Sequence, residues 1–497
     1  MAAQRMRLDD GYDPNTTTHW LLGSLPVPIR SLHLATPDSV VEQSLAEIRA
    51  DRKIPEGFPA EVIAEARTVE PNVPELDLTE VAFVTIDPPG ARDLDQALHL
   101  EPRGNGYRVR YAIADVAAFV SPGGPLDAES RGRGLTLYSP DRRTPLYPSI
   151  LSEGSASLLA DEVRPAQVWT IDLDSDGEIV SVDLRRALVR SRDQLDYQTV
   201  QKWLESGTAP ESVRLLPEIG RLRELIERER GAVSLPIPDQ EVIRENGSWD
   251  LVYREPLPVE GWNAQISLMT GMAAAQMMVE AGVGVLRTLP PAPPRHMKRL
   301  RRVTRALEIG WPEGMTYPDL IRSLDARLPA HAALLAEATS LFSGAGYQVL
   351  QKGLRPHEHT ALATLYTHCT APLRRLVDRF TGETCLSISA GKEVPTWVME
   401  ALPSLPEIMA KADSISGGYE AECVNLLEAA LLSDRVGQTF TGVVVDVDDH
   451  LPRGDVQIRD PAVHARIDSD RLELGEEIQA RLVKASVPER RVVFEEA

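Results

Sequence analysis

The chain has 497 residues, too many for one compact core, and 43% of them are apolar, enough to fold two to four globular domains. Acidic residues outnumber lysines and arginines by 74 to 53, and the net charge of -21 argues against a general polyanion binder. The three cysteines form no C-x-x-C pair, which argues against disulfide and zinc frameworks and is typical of a reduced cytoplasmic protein. Because the net charge is negative, any contact with nucleic acid has to be local.

Residues 1–78 predict a small, mostly helical module. Amphipathic periodicity indicates helices near 39–50 and 60–68, separated by the segment IPEGFP. The opening MAAQRMRLDDGY lacks the apolar run of a signal peptide, so we expect no targeting segment there.

From residue 79 to about 435 the pattern predicts strands followed by helices. VAFVTID is a near-continuous apolar run, and two hairpins are predicted, with turns at 103–106 and 175–177. Helical periodicity then dominates from 195 to 436, with a long helix over 407–435. The apolar stretch 266–286 is interrupted by Gln276 and Glu280 and is interpreted as a buried helix rather than a membrane span. This order indicates an α+β domain with a central mixed sheet surrounded by helices.

The segment 436–497 predicts a small β-barrel. Its strand patterns are TFTGVVVDVDD, GDVQIRD, ARIDS, EIQARLVKAS and RRVVFEE. Short strands of this number, separated by turn residues, are typical of an OB-type barrel.

Three carboxylates follow the first predicted strand. In TIDPPGARDLDQAL, the PPG turn can bring the chain back so that Asp87, Asp93 and Asp95 converge. Hard cations such as Mg²⁺ take oxygen ligands, so such a cluster is a suitable half-cage that a substrate phosphate completes. An isolated D-x-D is more often a solvated turn, but the apolar strands on both sides favour the metal site here.

This segment resembles the catalytic domain of the ribonuclease II/R (RNB) family, where T-I-D is followed by a short turn and D-x-D-D. Further segments follow in the family's order: YAIADVAAFV, LDAESRGRGLTLYSP, PLYPSILSEGSASL, VRPAQVWTIDLDSDGEI and, much later, YTHCTAPLRRLVDR. The resemblance covers about 79–435, and the barrel at 436–497 resembles the family's S1 RNA-binding domain.

The resemblance implies a metal centre. Asp87, Asp93 and Asp95 match the family's ligands for Mg²⁺, or Mn²⁺ in its place, while Gln96 stands where the family has a fourth aspartate. Glutamine keeps an oxygen acceptor but lacks the charge, so the number of metal ions stays open. Arg374 matches the arginine that grips the scissile phosphate.

Other matching residues are expected around this centre. Arg375 is expected to contact RNA beside Arg374, with Asp378 in support, although surface ion pairs are the alternative for both arginines. Glu420 matches the glutamate that precedes the S1 domain, and Glu422, two residues on, is its alternative. Helical spacing places these two glutamates on different faces.

The resemblance also implies contacts to the RNA. Tyr197 matches the tyrosine that stacks on the last base, and Tyr138 the one that limits product length, although both can be ordinary core tyrosines. Leu235 stands where a second stacking aromatic is expected, which makes the base clamp one-sided. The basic stretch 295–305 indicates either an RNA-lining helix or a solvated helix face.

The implied function is processive 3′-to-5′ hydrolysis of single-stranded RNA to nucleoside 5′-monophosphates, in RNA degradation and processing. We expect a cytoplasmic monomer with no nucleotide cofactor and no membrane association. Its N-terminal module, of the helix-turn-helix type, is expected to guide RNA in place of the family's cold-shock barrels. Gln96 and Leu235 motivate the alternative, a non-catalytic RNA-binding regulator that retains the fold.

Overall fold

The structure is a computed structural model that describes residues 7–8, 38–233, 239–245, 248–254, 256–325, 328–448, 451–458 and 463–497. Its helices are α1 Asp38–Asp51, α2 Ala60–Thr68, α3 Pro125–Arg133, α4 Tyr197–Ser206, α5 Glu211–Arg214, α6 Leu216–Glu229, α7 Pro258–Ala281, α8 Pro294–Ala306, α9 Tyr317–Arg322, α10 Pro329–Ala338, α11 Leu376–Ser389, α12 Thr396–Ala401 and α13 Leu405–Leu432. None of the helices in these ranges combines the length and apolarity needed to cross a bilayer.

The strands precede, interrupt and follow these helices. They are β1 Arg7–Leu8, β2 Phe83–Asp87, β3 Gln96–Arg103, β4 Gly106–Ala114, β5 Leu137–Tyr138, β6 Arg143–Thr144, β7 Val163–Leu173, β8 Ile179–Asp196, β9 Asp239–Glu245, β10 Ser248–Arg254, β11 Val285–Thr288, β12 Gly346–Val349, β13 Thr439–Val447, β14 Arg453–Ile458, β15 Val463–Asp468, β16 Glu477–Ser486 and β17 Arg491–Glu496.

Strands β2, β3, β4, β7 and β8 close into a barrel, hereafter the first barrel. The two predicted hairpins are confirmed: β3 and β4 meet at Arg103 and Gly106, and β7 and β8 flank the turn at 174–178. A parallel pairing of β2 with β8 completes the closure, which makes the predicted mixed sheet a closed one. Large side chains such as Leu98 pack on one face of the strands and small ones such as Ala97 on the other, and both faces are buried.

Strands β13 to β17 form the second barrel, in the order β13-β14-β15-β17-β16. All the strands predicted in this segment are present, so the OB-type prediction is confirmed. Along β14 and β16, buried residues alternate with exposed or partly exposed ones, which is the pattern of strands with one face toward water. Phe494 of β17 is fully buried in the core of this barrel.

The N-terminal helices share hydrophobic cores with the rest of the protein and do not form a separate domain. Both predicted helices are confirmed, as α1 and α2. Leu45 and Ile48 of α1 share a core with α13 and the second barrel, whereas Val62 and Ala66 of α2 belong to a core that includes the first barrel. The sequence pattern did not indicate β1, which pairs in parallel with β9.

Parts of the helical prediction for 195–436 are wrong, because strands β9 to β12 lie within that range. Strands β9 and β10 form an antiparallel pair within that range, and the Asn-Gly dipeptide between them in the sequence is the hairpin signal that was missed. The buried helix expected over 266–286 ends at Ala281 as α7, and 285–288 is strand β11. Gly282 and Gly284 adopt φ values of 70° and 135°, which end the helix and turn the chain.

Candidate active site

Two parallel strands of the first barrel end side by side at the site. Asp87, the last residue of β2, pairs with Asp196, the last residue of β8. The Asp196 carboxylate accepts a hydrogen bond from the Thr199 amide at 2.8 Å and so caps α4, whose first residue is Tyr197. The parallel register therefore brings a predicted metal ligand and the predicted base-stacking tyrosine to the same end of the barrel.

The loop from Asp87 to Asp95 is tied down rather than an open turn. Gly90 adopts a φ of 79°, which lets the chain reverse. The Ser157 hydroxyl accepts a hydrogen bond from the Leu94 amide at 2.9 Å and donates one to the Arg92 carbonyl at 2.6 Å. These contacts hold the D-x-D segment against the barrel, so the solvated-turn alternative is not what the structure shows.

Asp95 is buried beside the predicted phosphate-gripping arginine. One of its carboxylate oxygens accepts a hydrogen bond from the Leu373 amide at 2.8 Å, and the other lies 3.3 Å from Nε of Arg374. Burial raises the pKa of Asp95 to about 8, although Arg374 opposes the shift. The Arg374 side chain is 50% exposed, so its remaining donors are open to a ligand.

Asp87 completes the group around Arg374. Burial raises its pKa to about 7, Arg374 again opposes the shift, and Asp93 adds to it. Its Oδ2 atom is buried and has no hydrogen-bond partner in the described part of the chain. A buried carboxylate oxygen without a donor is costly, and a cation is the kind of partner it lacks.

Asp93 is paired with an arginine that sequence reasoning missed. Nη1 of Arg143 lies 2.6 Å from the Asp93 carboxylate, and its Nη2 lies 3.0 Å from Glu153. Arg143 stands opposite Tyr138 in the two-stranded ribbon formed by β5 and β6, hereafter the ribbon. The turn-forming Ser-Pro-Asp after Tyr138 in the sequence was the signal that could have indicated this pairing.

The donor set suits a hard cation, although it is not a ready-made cage. Among the described residues, no three His, Cys, Asp or Glu side chains are grouped closely enough to hold a metal ion. Asp93 and Asp95 face Arg143 and Arg374 instead. Carboxylate oxygens are nevertheless the ligands that Mg²⁺ prefers, and Asp87, whose Oδ2 has no partner in the described part of the chain, lies within electrostatic reach of Asp93. The residues present therefore fit such an ion.

Gln96 makes a contact that an aspartate cannot make. Its Nε2 donates a hydrogen bond to the carbonyl oxygen of Thr370 at 2.5 Å, and the Thr370 hydroxyl in turn bonds that of Ser267 at 2.7 Å. A carboxylate has no N–H to donate. The geometry thus favours a positioning role for Gln96, which ties the start of β3 to the segment 370–378, hereafter the arginine segment.

Asp378 organises the arginine segment. Its buried carboxylate accepts hydrogen bonds from the Ala371 amide at 2.8 Å and from two nitrogens of Arg375 at 2.5 and 2.8 Å. The Arg374 carbonyl also accepts a hydrogen bond from the Thr136 amide, just before the ribbon, at 2.9 Å. Because Arg375 is engaged in this pair, the geometry does not favour the RNA contact expected of it.

The predicted base-contacting residues have different surroundings. Tyr138, in the ribbon, lies within electrostatic reach of Arg374. Tyr197 is partly buried against the core of the first barrel, and its phenol oxygen lies 3.5 Å from Nδ2 of Asn263. Leu235 lies outside the described residues. Both tyrosines are thus at the end of the barrel that carries the aspartates.

The contacts of the two candidate glutamates on α13 distinguish their roles. Glu422 lies 2.5 Å from Nη2 of Arg52 in the α1–α2 connection and 2.6 Å from Nη1 of Arg490 in the second barrel. This network gives Glu422 a structural role between the N-terminal helices and the second barrel. Glu420 is 8% exposed on the same helix and is the remaining candidate.

A buried ion pair connects α1 to the ribbon. Arg49, 5% exposed, donates two hydrogen bonds to Asp141 at 2.9 and 2.8 Å. Asp141 also accepts a hydrogen bond from the Ser139 hydroxyl at 2.8 Å, inside the turn that joins β5 to β6. The N-terminal module therefore supports the turn between Tyr138 and Arg143.

The basic stretch predicted at 295–305 is helix α8. Leu300 and Val303 face the core, and the basic residues other than Arg299 are mostly exposed. Arg299 lies 2.8 Å from Glu337 and also pairs with Asp446 of the second barrel. One arginine thus pairs with the second barrel, while most of the other basic residues lie exposed on α8.

The chain is similar to known protein families along most of its length. The RNB domain matches residues 75–382, and the RNase II-type exonuclease C-terminal S1 domain matches 438–497. Ribonuclease R 1 of Lactococcus lactis is 24% identical over 439 residues, 81% of this chain and 52% of the relative. Ribonuclease R of Thermotoga maritima is 26% identical over 466 residues, 88% of this chain and 63% of the relative. The chain thus spans about half to two thirds of the length of these relatives.

Solved structures show the same fold. RNase R of Mycoplasma genitalium, in complex with ribose methylated single-stranded RNA, matches with a TM-score of 0.84 at 18% identity, over 93% of this chain and 78% of that chain. The RNB match covers more than half of the residues and includes the barrel, the D-x-D loop and the arginine segment. The chain belongs to the RNB family.

Proposed function

We propose that this protein is a 3′-to-5′ exoribonuclease of the ribonuclease II type, which hydrolyses single-stranded RNA processively and releases nucleoside 5′-monophosphates. The observation that carries the proposal is the convergence of Asp87, Asp93 and Asp95 on the exposed Arg374 in an RNB fold. The names of the relatives support the substrate class, RNA. The cysteines of the described ranges are buried and unpaired, which supports a reducing compartment such as the cytoplasm.

Asp87, Asp93 and Asp95 would hold Mg²⁺, or Mn²⁺ in its place. A bound divalent ion supplies Lewis-acid stabilisation of charge on the phosphoryl oxygens and lowers the pKa of a nearby water. Asp87 and Asp95 have to lose protons to act as ligands, because their pKa values are raised to about 7 and about 8.

Arg374 is positioned to bind the scissile phosphate. Its half-exposed guanidinium keeps only Nε near Asp95, so the planar fork of the remaining donors can engage phosphoryl oxygens. Asp378 and Gln96 hold the backbone of the arginine segment in place. Preorganised donors of this kind contribute most of their energy where charge develops in the transition state.

Tyr197 and Tyr138 would position the 3′ end of the RNA. A base stacked on Tyr197 gains roughly 1–3 kcal/mol without regard to its identity, which suits an enzyme that removes any nucleotide. Tyr138 lies in the ribbon, within electrostatic reach of Arg374. A ring at this place would limit how short a bound product can be.

The non-catalytic RNA-binding alternative is less well supported. It would need an RNA surface, but not carboxylates that are buried at a cost sufficient to raise their pKa values to about 7 and about 8. Gln96, which motivated the alternative, has a positioning contact with Thr370 that is compatible with an active site.

The N-terminal module is proposed to guide RNA. Because this module is packed against the rest of the protein, deleting it is not a clean test of that role. Deleting 1–78 would expose the core that Leu45 and Ile48 share with the second barrel. A deletion would therefore mix loss of guidance with loss of stability. Substitutions of exposed residues on α1 and α2, assayed on structured RNA, avoid this, and unchanged handling of such RNA would contradict the guide role.

The test of the proposed function uses a 5′-labelled single-stranded RNA, with Mg²⁺ or with chelator. In Mg²⁺ we expect the labelled RNA to be degraded from its 3′ end to short products with few intermediates, and in chelator we expect no shortening. Asp95→Asn should abolish shortening, while Asp183→Asn, at a 50% exposed surface ion pair, should not. No shortening by the unmodified chain in Mg²⁺ would contradict the activity, and shortening by Asp95→Asn would contradict the site.

A further inference from the structure

A cavity of about 340 Å³ lies between the N-terminal module and the part of the chain that carries β6 of the ribbon. One wall is formed by 55–67, which includes most of α2, and the other by residues within 133–150, which include β6. Its charged lining consists of Arg67, Arg133, Arg142, Arg143 and Glu56. Four arginines against one glutamate make this a positive site in a chain whose net charge is -21.

Arg133 forms the wall of this cavity rather than its binding group. Its Nε donates to Glu129 at 2.8 Å, and its other nitrogens donate to the carbonyl oxygens of Pro145 and Gly57. The guanidinium also lies over the ring of Phe58, 3.8 Å from its centre. With its donors used in this way, Arg133 holds the 55–58 segment against the segment that follows the ribbon.

Arg67 and Arg142 have donors to spare. Arg67 is exposed and has no acidic partner within the part of the chain that is described. Arg142 is 38% exposed and lies 3.5 Å from Glu56, a carboxylate that is itself 76% exposed and weakly held. Two guanidinium groups on facing walls are therefore available to an anion that enters the cavity.

The cavity adjoins the active site through Arg143. This arginine lines the cavity and also lies 2.6 Å from Asp93. Apolar side chains, including Ile63 and the exposed Ile150, line the cavity as well. Its volume is in the range of small-ligand pockets, and a lining that is part cationic and part apolar suits a nucleotide, which carries both a phosphate and an aromatic base.

We infer that this cavity binds the phosphate of a nucleotide, with Arg67 and Arg142 as its two anion-binding side chains. The ligand class rests on the proposed function, which supplies such phosphates from two sources. These are the nucleoside 5′-monophosphate released by Asp95 and its neighbours, and the backbone of the RNA that has not yet been cleaved.

The experiment measures binding to the full chain carrying Asp95→Asn, so that RNA is not consumed. Adenosine 5′-monophosphate is titrated by calorimetry, with adenosine as the phosphate-free control, and a fluorescent single-stranded RNA is titrated by anisotropy over a range of salt concentrations. The double variant Arg67→Gln/Arg142→Gln is compared with Arg185→Gln, whose side chain is 66% exposed and pairs with Asp183 away from the cavity. All proteins are checked for an unchanged melting temperature.

Two results support the inference and also identify the source. Weakening of adenosine 5′-monophosphate binding by about tenfold, with RNA binding unchanged, assigns the cavity to the released nucleotide. Weaker RNA binding, with the salt slope reduced by about 1 for each arginine, assigns it to the RNA backbone. Affinities for both ligands equal to those of Arg185→Gln would overturn the inference. Because no cleavage is measured, failure of the proposed exonuclease activity would be seen separately, in the RNA-shortening assay.

Discussion

The two barrels have the same number of strands and the same kind of closure, yet among the described residues only the first barrel carries buried carboxylates. Each closes with a parallel pair, β2 with β8 in the first barrel and β15 with β17 in the second. The first parallel pair ends at Asp87 and the second at Asp468. Strand β2 is buried on both faces because helices cover it, whereas buried residues alternate with exposed ones along β15.

This difference in covering explains the difference in chemistry. Over the first barrel, the arginine segment closes on the D-x-D loop, removes Asp95 from water and raises its pKa to about 8. In the second barrel, the Asp468 side chain remains 46% exposed and pairs with Arg466 at the surface. The barrel alone therefore does not make a strand-end aspartate a candidate metal ligand. The segment that packs over the aspartate and buries it makes the difference.

The largest expected effect separates the two barrels directly. Asp95→Asn should lower the rate of RNA shortening by roughly a thousandfold, because it removes a proposed metal ligand that also faces Arg374. Asp468→Asn, the matched change at a strand end of the second barrel, should leave the rate within about twofold, since exposed pairs contribute little. Single-turnover kinetics measure both, and equal losses would remove the distinction between the barrels.

The second prediction compares an arginine from each barrel's surroundings. Arg374→Ala should reduce kcat by about 100-fold or more with a smaller change in KM, because its donors act on charge in the transition state. Arg374→Lys should recover only part of this loss, since lysine lacks the planar fork. Arg466→Ala is the control and should change kcat little. A loss confined to KM would show that Arg374 only binds RNA.

The third prediction concerns α1, which contacts both regions. Arg49→Met should lower the free energy of unfolding by about 3 kcal/mol, because it leaves Asp141 without its buried partner. It should also lengthen or broaden the final RNA products, since the ribbon that carries Tyr138 loses its support. Arg52→Met breaks a partly exposed pair with Glu422 and should cost about 1 kcal/mol or less. Denaturant unfolding and product sizing test both variants, and identical product lengths for the two would contradict the supporting role of Arg49.

The smallest expected effect is the influence of pH on how much Mg²⁺ raises the melting temperature. Asp87 and Asp95 keep their protons in the folded protein up to about pH 7 and about pH 8, but lose them near pH 3.9 in the unfolded chain. The folded state therefore binds more protons between about pH 4 and about pH 8, so without metal its free energy of unfolding falls as pH rises through that window.

Mg²⁺ requires the deprotonated carboxylates, so it should stabilise the protein more at pH 8 than at pH 6. We expect the Mg²⁺-induced rise in Tm to be larger at pH 8 by about 2 °C. The double variant Asp87→Asn/Asp95→Asn should lose this rise at both pH values, whereas Asp468→Asn should keep it. Scanning calorimetry measures the shift, and a rise of equal size at the two pH values would contradict the protonation argument.

Local patterns were sufficient for much of the fold. The hairpins around 103–106 and 174–178, the helices α1, α2 and α13, and the strands of the second barrel all follow from hydrophobic periodicity and turn residues within short windows. The hairpin of β9 and β10 was missed although its Asn-Gly signal is equally local. That error came from extending the helical pattern over the whole of 195–436.

The contacts within the candidate site could not be predicted from local patterns. The amino-acid sequence indicated only which residue types are available: the three aspartates after an apolar strand and the arginine block far downstream. Only the tertiary structure decided that Asp95 lies against Leu373 and Arg374, that Gln96 donates to Thr370, and that Arg375 is held by Asp378. The first two of these contacts join residues more than 270 positions apart, and the burial that raises the pKa of an aspartate depends on every element packed over it. Neither these long-range contacts nor the burial of Asp95 can be derived from the periodicity of a short stretch of sequence.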